Sequence, residues 1–239
     1  MSTRVDTNEK RRAFELKFVV ELALAMEIQS WAREHLVLDA HGDPRDDDRY
    51  LITSLYLDTA ESEVLHRSQG FRRRRYRVRR YGDEQCLWLE RHTKRANEVR
   101  LRRSSVHTED AARLASPMTA GSVDEWNGSW FHGKIQRKTL LPAAITSYRR
   151  AAFDGAAGDS SFSRLTLDYE VLASRANGWD LAVESPTRPL FERHAVLELK
   201  FAHAMPLLFK ELVAQHQLDA MAVSKYRAAR AALATLPSG

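Results

Sequence analysis

Phe71 to Gly82 reads FRRRRYRVRRYG. On a β-strand successive side chains point to opposite faces. Read as a strand, this stretch places Arg75, Arg77 and Arg79 on one face and Tyr76 and Val78 on the other. Side chains two apart lie about 6.6 Å from each other. At an effective dielectric of ~20, two cations at that spacing repel by roughly 2.5 kcal/mol before salt screening. Three in a row stack that penalty twice. On an open surface water and salt absorb it; in a confined channel a polyanion offsets it better. Arginine and lysine are the usual partners of phosphate oxygens.

The same alternation continues on both sides. Residues 86–94 (CLWLERHTK) set Glu90, His92 and Lys94 on one face against Leu87 and Leu89. Residues 98–106 (EVRLRRSSV) bring Arg100 and Arg102 together after a short polar turn at Ala96 and Asn97. Residues 13–20 (AFELKFVV) pair Glu15 with Lys17, against Phe14, Leu16 and Phe18. Residues 50–57 (YLITSLYL) and 144–153 (AITSYRRAAF) are further strands. In 163–172, Arg164, Thr166, Asp168 and Glu170 share a face; in 194–201, Glu198 and Lys200 do. This makes about eight strands, nearly every one with one apolar and one charged face. One such strand is an ordinary solvated surface; a whole set dominated by Arg, Lys and Glu asks for another explanation.

Helical signals fall at 21–37, with an apolar stripe through Leu22, Met26 and Trp31, at 58–66, across 108–140 with breaks at Pro117, Gly121 and Gly128, and at 206–217 and 222–235. Trp126 and Trp130 read as core of that middle helical layer. HGDPRDDD at 41–48 is a loop. Residues 1–12 are polar and expected to be a flexible N-terminus, and 13–239 a single catalytic domain. Without a strand-helix rhythm, the class is α+β with an antiparallel sheet or barrel.

The chain has 239 residues, 44% hydrophobic and 29% charged, a globular composition. Its single cysteine, Cys86, excludes a disulfide framework and a zinc-thiolate site. No apolar run reaches the ~18 residues of a membrane span. A soluble, cytoplasmic protein is expected. The net charge of +5 is modest. The basic residues are spread over several strands, with Tyr76 on the opposite face, so no base-stacking platform for nucleic acid is apparent. Carboxylates are poor direct phosphate ligands. On faces rich in cations they become useful when a divalent ion stands between acid and phosphate, as metal-assisted phosphoryl transfer requires; the simpler role is to neutralise neighbouring arginines.

In order along residues 13 to about 230, these motifs resemble the triphosphate tunnel metalloenzymes (the CYTH-like superfamily), and within them the VTC-type polyphosphate polymerase domain. The matches are ELK (15–17), YLDT (56–59), RYRVRRYG (75–82), LERHTK (89–94), SYRRAAF (147–153), RLTLDYE (164–170), LELKF (197–201) and SKY (224–226). The resemblance implies a closed eight-stranded antiparallel β-barrel, a triphosphate tunnel with flanking helices. It implies phosphate binding by Lys17, Arg75, Arg77, Arg79, Lys94, Arg100, Arg102, Arg150, Arg164, Lys200 and Lys225. It implies a divalent metal, Mn2+ or Mg2+, on Glu198, with Glu15 and Asp168 as lesser ligands. Glu90, His92, Tyr148 and Glu170 are further candidates. His92 stands where the family commonly has a lysine, which weakens phosphate grip there unless Lys94 supplies the charge.

The activity so implied transfers the terminal phosphate of ATP onto a growing inorganic polyphosphate chain, in a bacterial-type soluble domain able to associate with a membrane partner. The alternatives are a tunnel-fold triphosphatase acting on inorganic or organic triphosphate, and a non-catalytic polyphosphate-binding module.

Overall fold

The computed structural model describes residues 9–96, 98–117, 126–155 and 162–235. Its strands are β1 (Glu9–Glu21), β2 (Val37–Leu38), β3 (Arg49–Asp58), β4 (Arg74–Tyr81), β5 (Cys86–Arg95), β6 (Glu98–His107), β7 (Leu141–Asp154), β8 (Ser163–Ser174), β9 (Arg188–Pro189) and β10 (His194–Phe201). Its helices are α1 (Leu22–His35), α2 (Glu63–His66), α3 (Ala111–Ala115), α4 (Ser129–Lys138), α5 (Leu207–Gln215) and α6 (Lys225–Leu233). Eight long strands run in the order β7-β3-β4-β5-β6-β1-β10-β8, and β8 pairs back onto β7. Every pair is antiparallel, so the sheet closes as the expected barrel. The two-residue strands β2 and β9 add edges to β7 and β8.

The apolar faces point outward, so the core lies between the barrel and its helices. One cluster gathers Phe18, Phe153, Leu165, Leu167, Leu197 and Leu199 with Ala25, Ile28 and Ala32 of α1 and Phe209 and Leu212 of α5. The other packs Leu55, Tyr76, Val78, Leu87 and Leu89 against Phe131 and Ile135 of α4 and Tyr226 and Ala229 of α6, with Trp126 and Trp130 partly buried on it. Burial of this outer face is the main stabilising force. It leaves the inner face to the charges.

Three expectations shift. β1 begins at Glu9, because residues 9–12 pair with β6 opposite Arg100 to Arg103; residues 1–8 lie outside the described residues. The apolar stripe of α1 is only partly the one expected: Trp31 packs partly buried on the core, but Leu22 and Met26 are exposed, and Ala25, Ile28, Gln29 and Ala32 are buried. Small alanines let the helix approach the sheet, and Gln29 accepts a hydrogen bond from the Tyr169 hydroxyl (2.8 Å). Asp58 of the YLDT motif has a structural task, accepting from the backbone N–H of Thr59, Val64 and Leu65 (2.8, 2.7 and 3.0 Å) and so capping α2. Its other partner is the Tyr226 hydroxyl of α6.

Candidate phosphate-binding passage

The barrel interior is a passage with two wide ends and a narrow middle. One end is a cavity of about 540 Å³ lined by Asp39, His41, Tyr50, Tyr81, Trp88 and Arg164 among others. The other is about 910 Å³ and lined by Arg67, Arg72, Arg73, Arg74, Arg75, Lys94 and Arg227, with no carboxylate on its wall among the described residues. The middle holds about 50 Å³ of free space. It shares Glu15, Arg77, Arg79, His92, Arg150 and Lys200 with the first end, and Arg75, Ser224 and Tyr226 with the second. The three spaces therefore adjoin one another.

Seven cations line the narrow middle: Lys17, Arg75, Arg77, Arg79, Arg150, Lys200 and Lys225. They face the carboxylates of Glu15 and Glu198. Lys17 Nζ lies 2.9 Å from Glu15 Oε1 and 2.6 Å from Glu198 Oε1. Glu198 also meets Lys200 (3.1 Å) and Lys225 (3.4 Å). Burial alone would push the Glu198 carboxyl up; Lys17, Lys200 and Lys225 outweigh it and hold it well below the ordinary range. Asp168 is expected among the metal ligands, but both its oxygens are committed. Arg150 donates to Oδ1 and Oδ2 (2.6 and 2.8 Å), and Lys225 reaches Oδ2 at 2.5 Å.

Lys225 arrives from a helix, and strand pairing explains how. β6 starts at Glu98 opposite Phe14, leaving the edge of β1 open beyond that point. Met221 N–H donates to Lys17 O there (2.8 Å), and Ser224 caps α6, accepting from the Arg227 N–H (3.4 Å). The first helical residue, Lys225, so enters the barrel and sits 4.9 Å from the Tyr148 ring. Tyr148 accepts from Arg79 Nη2 (2.9 Å), whose Nε donates to Ser54 Oγ (3.1 Å). Tyr148 is thus a prop for two cations.

Arg77 Nε donates to Glu90 Oε2 (2.5 Å), and its Nη2 lies 2.9 Å from His92 Nε2. Guanidinium has no acceptor, so in the Arg77 contact His92 Nε2 accepts; the same nitrogen lies 3.3 Å from Glu90 Oε2. Burial, reinforced by Arg77, pushes His92 down to about 4. This histidine is neutral at pH 7 and supplies no cationic charge there. Lys94 does not fill the gap in the middle; it lines the cationic end. Arg164 lies at the opposite end, bound to Asp154 and Asp39 (2.8 and 2.7 Å).

Three candidates fall outside the passage. Arg100 and Arg102 are on the outer face of β6: the inward residues are Val99, Leu101 and Arg103. Arg100 pairs with Glu98 (2.6 Å), and Arg102 stacks 4.2 Å over the Trp130 ring of α4. The register explains it, since Arg103 is opposite inward Glu90 while Arg102 is opposite Arg91. Glu170 is exposed, with φ 50, beside a β7–β8 register shift between Ser147 and Arg149. The bulge breaks the alternation one step past Asp168. Sequence reasoning missed inward Arg103, Tyr50 and Tyr56, and Asp39, which carries no signal in a polar loop.

The model of the VTC domain family matches residues 12–234. Comparison with proteins of curated function gives no significant match. Solved structures that share the fold include the following two. A putative adenylate cyclase from Bacillus halodurans is 12% identical with TM-score 0.52, covering 90% of this chain and 95% of that one. The putative adenylyl cyclase HpAC1 from Hippeastrum, described as having a dominant triphosphatase activity, is 10% identical with TM-score 0.51, covering 92% and 96%. With the closed barrel, its charged bore and a family match across nearly all of its length, this chain belongs to the VTC domain family.

Proposed function

We propose that the chain is a polyphosphate polymerase that transfers the terminal phosphate of ATP to a growing inorganic polyphosphate chain. The observation that carries this reading is the open-ended passage with seven cations around its narrowest part. A hydrolase needs one phosphate-binding entrance. A polymerase needs donor and acceptor phosphates in line, with room for the product to lengthen at one end.

Lys17, Arg75, Arg77, Arg79, Lys200 and Lys225 hold the phosphates of donor and acceptor end to end and neutralise charge at the transferring group. The acceptor's terminal oxygen forms the new bond to the γ-phosphorus as the bond to the β–γ bridging oxygen breaks, and ADP leaves. Asp168 and Tyr148 position Arg150, Lys225 and Arg79.

Among the described residues, no three His, Cys, Asp or Glu side chains gather to hold a metal alone. Glu15 and Glu198 do converge on one point, now held by Lys17. Two carboxylates completed by phosphate oxygens and water form a donor set that suits Mg2+ or Mn2+. A divalent ion there, arriving with the nucleotide, would add Lewis-acid neutralisation of the phosphate charge. Asp168 is no part of that set.

Incubation with ATP and Mn2+, followed by gel electrophoresis and phosphate assay, tests the reading. Long chains with matching ADP support the polymerase. Orthophosphate alone supports a triphosphatase, the activity described for the Hippeastrum relative of this fold. Retention of polyphosphate without turnover supports a binding module. Among the described residues no helix is long and apolar enough to cross a membrane.

A further inference from the structure

Outside the passage, α4 (SWFHGKIQRK) carries Lys134, Arg137 and Lys138 and no acid. Arg74 of β4 and Arg91 of β5 stand beside it. Among the described residues, the charged groups that act on Lys134 are Arg137, Arg91, Arg74 and Lys138, all cations; with burial as the larger cause, they push its ammonium below the ordinary range. None of the five forms a salt bridge with a described carboxylate. Arg137 and Lys138 suit the carbonyl end of the helix, where cations are favoured. That explanation does not extend to Lys134, Arg74 or Arg91, which lie away from the last turn of α4.

This cationic ridge is continuous with the carboxylate-free end of the passage. Lys138 Nζ sits 4.4 Å over the Phe71 ring, and Phe71 and Arg74 both line that end. A polyanion leaving the passage there meets the α4 ridge next. At the opposite end Arg164 is already neutralised by Asp39 and Asp154.

We propose that the α4 ridge is an exosite for inorganic polyphosphate, binding the length of chain that extends beyond the passage and so favouring long chains over short ones. The proposal rests on the reading that the passage binds phosphate. Like charges collected without counter-ions are relieved by a flexible polyanion, which releases the condensed salt on both partners. A tripolyphosphate is too short to occupy the passage and the ridge together.

The test compares full-length wild type with Lys134→Gln/Arg137→Gln/Lys138→Gln, titrating long-chain inorganic polyphosphate and tripolyphosphate at several salt concentrations. A second variant, Lys134→Gln/Arg137→Gln, keeps the Lys138 contact with Phe71 and guards against loss of fold, checked by thermal melting. Long-chain affinity should fall by about tenfold or more at low salt, and the slope of log affinity against log salt should shrink by about 2. Tripolyphosphate affinity should be unchanged. Equal behaviour of both ligands in variant and wild type overturns the proposal, as does loss of binding only to anionic lipid vesicles or to RNA. If wild type binds no tripolyphosphate but its long-chain affinity depends on α4, the passage reading fails while the ridge stands.

Discussion

Arg150 and Asp168 face each other across the β7–β8 pairing that closes the barrel, joined by two hydrogen bonds of 2.6 and 2.8 Å in a fully interior position. Such a two-pronged pair fixes geometry as well as charge. Lys225, 2.5 Å from the same carboxylate, ties α6 to the closing strands. The ion pair thus links closure of the fold to placement of two cations in the passage.

Removing the carboxylate should therefore be a structural injury first. Asp168→Asn leaves Arg150 and Lys225 buried with too little counter-charge, and breaking such a pair costs about 3–5 kcal/mol. Chemical denaturation should show that loss. Asp168→Leu combined with Arg150→Met should be less destabilised than Asp168→Asn alone. A fully stable Asp168→Asn would contradict the assignment.

Arg75 presents the opposite case. It forms no salt bridge with a described residue, and burial pushes its guanidinium below the ordinary range. A charge held without a partner is available to a ligand at the expense of the fold. Arg75→Met should raise stability by about 1–3 kcal/mol while weakening tripolyphosphate binding by about tenfold or more. Calorimetry and melting read the two effects on one sample.

Parity makes a sharp contrast on neighbouring strands. Arg77→Ala should lower tripolyphosphate affinity by about tenfold or more. Arg100→Ala, on the outer face of β6, should change it by less than about twofold. Equal losses would mean that β6 is rotated relative to the structure.

His92 gives a pH signature. Its value is about 4 in the fold against 6.5 as a reference. Below pH 6.5 the unfolded chain takes a proton that the folded chain refuses, so stability falls as pH drops towards 4, by up to about 3 kcal/mol. His92→Asn should flatten that slope. Phosphate placed beside His92, where Arg77, Glu90 and Glu15 also act, favours the protonated ring. Tripolyphosphate binding near pH ~5.5 should then take up a proton in wild type and less in His92→Asn, measured by calorimetry in buffers of different ionisation enthalpy.

These side chains differ in how far the sequence reveals them. Where the opposite face is clearly apolar the charges are legible: Glu15 and Lys17, and Glu198 and Lys200, point inward as read, and in β4 the buried Tyr76 and Val78 set Arg75, Arg77 and Arg79 inward although Arg74 and Arg80 carry charge on the other parity. β6 carries arginine on both parities, at 100 and 102 and at 103, so alternation cannot choose, and the apolar tie-breakers Val99 and Leu101 face the passage. Glu170 is lost to a bulge, whose extra residue reverses parity without a mark in composition. The α1 face was obscured because alanines make its contact. Lys225 is legible only by resemblance, since its place depends on where β6 ends and frees the edge of β1.

A crystal structure of the chain soaked with tripolyphosphate tests the central claim most directly. The account predicts phosphate oxygens within hydrogen-bond distance of Arg75, Arg77, Lys200 and Lys225, inside the narrow middle of the barrel. Tripolyphosphate bound only on the outer wall, with those four side chains still turned to their protein neighbours, would contradict it.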